Sequence, residues 1–190
     1  MIETLKITLE RDYDLWFWSD THFGHENIIK LANRPFDNAN EMDSTMFNNF
    51  QGLVKPNDIV IHLGDLTCAS SKSAIKSIYD RLPADFHYHL LGNHDTKRSI
   101  FEDLGVKTLA PICNLEVTDG LSGEIEKFVL SHYPIVAWEG QYKGTKHLYG
   151  HTHLMIYNMR NSLNICVEHT NYTPLSYYEI LWKIESGRVG

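Results

Sequence analysis

The chain is short of cysteine and proline, with three and six copies. Cys68, Cys113 and Cys166 stand far apart, are odd in number and form no C-x-x-C pair. That pattern argues against a disulfide framework or a thiolate zinc cluster and reads as reduced thiols used mostly for packing. No apolar run approaches the length of a membrane span. The opening residues, Met1-Ile2-Glu3-Thr4-Leu5-Lys6, lack the apolar core of a signal peptide, so a cytoplasmic setting is expected. Basic tracts are missing too. Lys and Arg total 17 against 24 Asp and Glu, and the net charge of −7 argues against a broad face for anionic lipid or for nucleic acid, a partner that charge does not support. Bound divalent cations would offset part of that charge. Internal repeats, low-complexity segments and linkers are absent as well.

What is present is an ordinary globular composition, 43% hydrophobic and 22% charged, in 190 residues. That length suits a single domain, 1–190, with a sizeable core. Residues 2–9 alternate as a strand, and Leu15-Trp16-Phe17-Trp18 reads as a short buried one. Helices are expected at 24–32, at 40–54 with Met42, Met46, Phe47, Phe50 and Leu53 on one face, and at 71–82 behind Ser70 or Ser71. Strands are expected at 59–63 and from Phe86 to Leu91. The repeated order of strand, polar loop and helix predicts βαβ units with a mainly parallel sheet. The second half differs. Strands at 112–118 and 124–131 flank the turn Asp119-Gly120-Leu121-Ser122-Gly123, and shorter ones are expected at 146–150, 154–159 and 163–168. Leu175 to Glu185 fits a helix or a strand. The fold class expected is α/β, layered as two sheets with helices outside.

Histidine is abundant, with 11 copies, and position decides what it means. The strand Phe86-His87-Tyr88-His89-Leu90-Leu91 breaks into Gly92-Asn93-His94-Asp95, placing an amide, an imidazole and a carboxylate at one rim of a sheet. Ligands in open α/β sheets gather at that carboxyl end. Four further loops have the same character: Asp20-Thr21-His22, Gly64-Asp65, Ser131-His132 and Gly150-His151-Thr152-His153. Residues at i and i+2 share a face in extended chain, so Asp20 can join His22 at one ion, and His151 can join His153. Oxygen and imidazole donors without thiolate suit Mn, Fe, Zn, Ni or Co. The donors outnumber what one tetrahedral ion needs, which points to two ions sharing a bridge.

The series D-x-H, G-D, G-N-H-D, H and G-H-x-H, in this order, resembles the calcineurin-like metallophosphoesterase superfamily over roughly residues 15–155. The segment Ser19-Asp20-Thr21-His22-Phe23-Gly24-His25, with Asn33-Arg34-Pro35-Phe36, is similar to a small bacterial and phage branch. The resemblance implies a β-sandwich flanked by helices. It implies Asp20, His22 and His153 at a first metal, Asn93, His132 and His151 at a second, and Asp65 between them. It also implies His94 facing substrate and Asp95 orienting it. Two cations about 3.5–4 Å apart would neutralise a phosphate ester and turn a water into hydroxide. A histidine, His94 here, would give the leaving oxygen its proton. One departure is visible: Leu66-Thr67-Cys68-Ala69 supplies no charge after G-D.

Other residues carry two readings each. His25 lines the pocket or caps a helix. Arg34 is solvated or clamps phosphate through its planar fork. Asp95 fits equally a cap for a helix starting near Thr96. His62, His87, His89, His147 and His169 read as structural, Trp16, Trp18 and Trp182 as core, and Trp138 as a pocket wall. The function expected is a dinuclear, Mn-favouring hydrolase of phosphomono- or phosphodiesters acting on a small phosphorylated or nucleotide substrate. A nuclease or cyclic-nucleotide phosphodiesterase on the same scaffold is the rival enzyme. A non-catalytic interaction scaffold is the rival outside catalysis, and it would be expected to have lost ligands.

Overall fold

A computed structural model describes residues 2–84, 86–95, 97–157 and 159–187. Two five-stranded mixed sheets face each other. One is built from β1 (Glu3–Leu9), β6 (Ile112–Asp119), β7 (Ile125–Ser131), β8 (Lys146–Tyr149) and β9 (Ser162–Asn164), in that spatial order. The other runs β10 (Leu175–Ser176), β2 (Leu15–Trp18), β3 (Ile59–His62), β4 (Phe86–His89) and β5 (Lys107–Thr108). From β2 to β5 the second sheet is wholly parallel, as the alternating strand–helix plan predicts. The first strand leaves that plan and pairs in parallel with β6 of the opposite sheet, with Glu3 against Cys113.

Alternation in β2 explains how the layers close. Leu15 and Phe17 join the inter-sheet core with Ile61, Leu63, Leu115, Leu130 and Leu148. Trp16 and Trp18 point the other way, into a second core formed with the helices. All four side chains are therefore buried, and the strand reads as a continuous apolar run. The helices over that outer core are α1 (Glu26–Leu31), α2 (Ala39–Leu53), α3 (Lys72–Tyr79) and α4 (Arg98–Glu102). In α2 the side chains of Met42, Met46, Phe47 and Phe50 are buried, which is the face expected from their spacing. Leu53 stays exposed at the last residue of the helix. Ser71 caps α3 by accepting from the Ala74 amide.

Several expectations change. Leu175 to Glu185 is both things in turn, a two-residue strand and then α5 (Tyr177–Ser186), started by a capping box between Ser176 and Glu179. Among the described residues, 154–159 forms no strand. Its Met155 amide turns back to the Thr152 carbonyl instead. The expected 163–168 strand is Ser162–Asn164 followed by a 3-10 turn, Val167–His169. Trp182 is 53% exposed rather than core. The Thr96 helix start lies outside the described residues, and α4 has Lys97 at its N-cap with no side-chain cap. Asp95 is turned inward.

Candidate metal centre

The five motif loops follow the carboxyl ends of β2, β3, β4, β7 and β8, so both sheets deliver donors to one rim of the sandwich. Backbone bonds fix the loops to one another. The Asp20 amide donates to the Gly64 carbonyl, the His22 amide to the Asp65 carbonyl and the Gly150 amide to the His132 carbonyl. Two glycines serve close approach. A Cβ on Gly92 would stand 2.1 Å from Asp65 Oδ1, and one on Gly150 would stand 2.2 Å from Asp20 Oδ2.

The donors form two groups that share one carboxylate. Ligand atoms of Asp20, His22 and Asp65 lie within 4.8 Å of one another, and so do those of Asp65, His132 and His151. His153 joins the first side, where its donor groups with Asp20 and Cys166. Asn93 joins the second, with Oδ1 at 3.1 Å from His132 Nε2. His151 and His153 thus serve different groups, against the shared face that extended chain would give them. The backbone is the reason. Asp20, His22, Asp65, His151 and His153 all have φ between 45° and 69°, in the left-handed region. Such conformations cost non-glycine residues energy and persist where surrounding structure enforces them, as at functional sites.

The residues present fit divalent cations. Both ring nitrogens of His22 are buried and lack any hydrogen-bond partner among the described residues, a costly state unless an ion takes a lone pair. His132 Nδ1 donates to the Leu63 carbonyl at 2.9 Å, which leaves Nε2 facing Asn93 and Asp65. His153 Nδ1 meets Glu168 Oε1 at 2.9 Å, which leaves Nε2 for an ion. Partners of this kind set the tautomer and angle of a ligating imidazole.

Electrostatics divide the donors: burial would lower His132 and His153, but Asp65 raises the first and Glu168 the second. Burial lowers the pKa of His22 to about 3, against the pull of Asp65, so the ring is neutral and ready to bind. Burial also lowers His151, helped by the nearby His132. Burial alone would raise Asp65, but His132 and the His94 amide outweigh it and hold the carboxylate ionised. Asp20 is raised by desolvation despite His132, Ser19, His153 and the His151 amide. Its carboxylate also accepts from Ser19 Oγ at 2.5 Å and Cys166 Sγ at 3.2 Å.

Arg34 is corrected. Its side chain has no exposure, and its guanidinium is committed to Glu168 at 2.8 Å and to the Asp20 and Thr21 carbonyls. It braces the first loop from behind and cannot reach a substrate phosphate. Asp95 is corrected likewise. One oxygen accepts from the Asp65 and Gly92 amides and meets His89 Nε2 at 2.9 Å; the other accepts from the Leu66 amide. It ties the Gly64-Asp65 loop to the Gly92 loop and is not placed on the His94 ring. His94 itself is exposed, with its ring 5.3 Å from that of His22. His25 is half-buried beside both. Trp138 bonds the Thr145 carbonyl and packs on His147, so it lines no part of the donor cluster.

Two residues passed over in the sequence matter here, Glu168 and Tyr133, while His89, read as structural, is so in its pairing with Asp95. Tyr133 is half exposed, its ring 4.5 Å from His151 and its hydroxyl 3.4 Å from Asn93 Oδ1. It follows His132 directly, and that adjacency is the one signal the sequence offered. Glu168 sits in no motif and had none. Size of opening does not locate the chemistry. Recesses of about 460 and 590 Å³ lie elsewhere, over Asn114 and Lys127 and beside Arg160 and Glu185.

A two-sheet α/β sandwich with a rim of paired carboxylate and imidazole groups defines a class of metal-binding hydrolase scaffold. Residues 13–183 match the model of the calcineurin-like phosphoesterase family, and the chain belongs to that family, whose members bind divalent metals to act on phosphate esters. An uncharacterised protein of Methanocaldococcus jannaschii is 32% identical over 92% of this chain and 93% of its own length. The Gene 66 protein of Mycobacterium phage L5 is 28% identical, over 73% of this chain and 76% of its own. A crystal structure of a protein of unknown function from Aquifex aeolicus superposes with a TM-score of 0.67 at 25% identity, covering 90% of this chain and 99% of that one.

Proposed function

We propose that the protein is a dinuclear phosphoesterase that hydrolyses phosphomono- or phosphodiesters of small phosphorylated or nucleotide substrates, with His94 as general acid. The observation that carries this is the sharing of Asp65 between two donor groups. When bound, two divalent cations (Mn favoured) would neutralise the ester and activate a water near neutral pH. Asp20, His22 and His153 would hold one side, Asn93, His132 and His151 the other. The His94 amide, donating to Asp65 Oδ1 at 2.8 Å, fixes its loop against the shared carboxylate while the exposed imidazole faces outward. From there the imidazole delivers a proton to the leaving oxygen, and His25 and Tyr133 flank the approach. Net charge and the lack of a basic tract weigh against a nuclease. Every expected ligand position is filled, which weighs against a non-catalytic scaffold. The free thiols and the lack, among the described residues, of any helix long and apolar enough to cross a membrane support a cytoplasmic setting.

The test is turnover of p-nitrophenyl phosphate and bis-p-nitrophenyl phosphate before and after chelation. Chelation should abolish hydrolysis and Mn should restore it. A chelated protein working at the full rate would remove the metal mechanism.

A further inference from the structure

His22 stands between two sets of donors. Its Nε2 faces Asp65 Oδ2 at 3.6 Å, and its Nδ1 is equally buried with no hydrogen-bond partner among the described residues. A ligating imidazole ordinarily binds an ion through one nitrogen and donates from the other to a carboxylate, carbonyl or water. Beside this ring stands His25, with centroids 5.5 Å apart, and His25 Nδ1 lies 3.3 Å from Cys68 Sγ. One ligand atom from each of His22, His25 and Cys68 lies within 4.8 Å of the other two. Cys68 is exposed and His25 partly so, which gives the cluster an entry path from solvent.

We propose that Cys68, His25 and His22 form a third cation site, for a thiophilic divalent ion such as Zn2+ or Cd2+, at the rim of the dinuclear centre. Ligand chemistry separates it from its neighbour. Thiolate with imidazole selects soft ions, whereas the Asp, Asn and His donors of the pair accept harder ones such as Mn. Three protein donors leave a fourth position open to water. On binding, Cys68 Sγ gives its proton to solvent and its electron pair to the cation, and His22 gives the single ring lone pair that the first metal would otherwise take, with no change of oxidation state. Because His22 belongs to both sets, an ion held here draws on a ligand of the first metal and inhibits hydrolysis. That inhibition rests on the function proposed above; the binding does not.

The experiment titrates the Mn-loaded full chain with Cd2+ and follows the ultraviolet charge-transfer band of a cadmium–thiolate bond. The band should saturate at one Cd per chain, be absent from Cys68→Ser with Mn content unchanged, and need at least about tenfold more Cd in His25→Ala. Cd should also inhibit the wild type, with Cys68→Ser at least about tenfold less sensitive. Absence of a band, or a band that survives in Cys68→Ser and so belongs to Cys166 or Cys113, overturns the site. A band that vanishes with Cys68 in a protein that turns over no ester supports the site and sinks the phosphoesterase assignment alone.

Discussion

At the scale of single residues, His94 and Glu168 do opposite jobs. His94 is exposed, and in the proposed mechanism it acts on what arrives. General acid catalysis is typically worth about 10²–10⁴-fold, and its value grows as the leaving group worsens. His94→Asn should keep its metals yet lose far more kcat/KM on alkyl esters than on p-nitrophenyl esters. A ratio that stays flat across leaving-group pKa would mean that His94 positions phosphate and donates no proton. Glu168 is buried and acts through His153. Burial alone would raise its pKa, but the bond to His153 and the Arg34 charge outweigh that and keep it ionised. Glu168→Gln should weaken the first metal by about 10–100-fold. It should also cost about 3 kcal/mol of stability, because Arg34 is left buried without its charge partner. Unchanged metal affinity by calorimetry would show that His153 needs no such support. The clustering of donors was legible because Asp20, Asp65, Asn93 and the histidines fall in short motifs after strands. Glu168 was not, since its contact with His153 spans 15 residues of chain and depends on how the 3-10 turn Val167–His169 closes under the His151 loop.

At the scale of elements, the site is a set of loops held by backbone bonds, with one buried carboxylate tying two of them together. Asp95 accepts three amides from two loops and is paired with His89. Burial would raise its pKa, but His89 and the Gly92 amide outweigh this and hold it well below the usual carboxylate range. Asp95→Asn puts a donor where three donors already point. It should destabilise by about 2–4 kcal/mol and loosen metal binding at Asp65. Urea unfolding matched to wild type would contradict that. The long strands and helices were legible from period alone. β5 and α4 were not, because neither holds an apolar run long enough to mark it and each forms on its neighbour, while β10 was left open between helix and strand. The inward turn of Asp95 was hidden for a related reason. Its partners Asp65 and Leu66 stand about thirty residues away in sequence, and nothing local distinguishes that role from a helix cap.

At the scale of the whole molecule, the buried histidines set the acid limit. His147 is fully buried in β8; Nδ1 donates to the Val129 carbonyl and Nε2 accepts from the Ile135 amide. Burial lowers its pKa to about 4, against the Val129 bond, which raises it. The unfolded chain takes up that proton near pH 6.5, so its contribution is complete above that value. It is lost as pH falls toward about 4, and is worth about 3 kcal/mol over that window. Urea midpoints at about pH 7 and about pH 4.5 should therefore separate more in wild type than in His147→Gln. Equal separation would place the acid sensitivity elsewhere.

If Asp65 joins two metal sites into one centre, metal content after dialysis shows it. Wild type should hold two Mn per chain and Asn93→Ala one. Asp65→Ala should fall below both Asn93→Ala and His22→Ala, since it removes a donor from each group at once. Two ions retained by a folded Asp65→Ala variant would contradict the shared carboxylate and the dinuclear mechanism built on it.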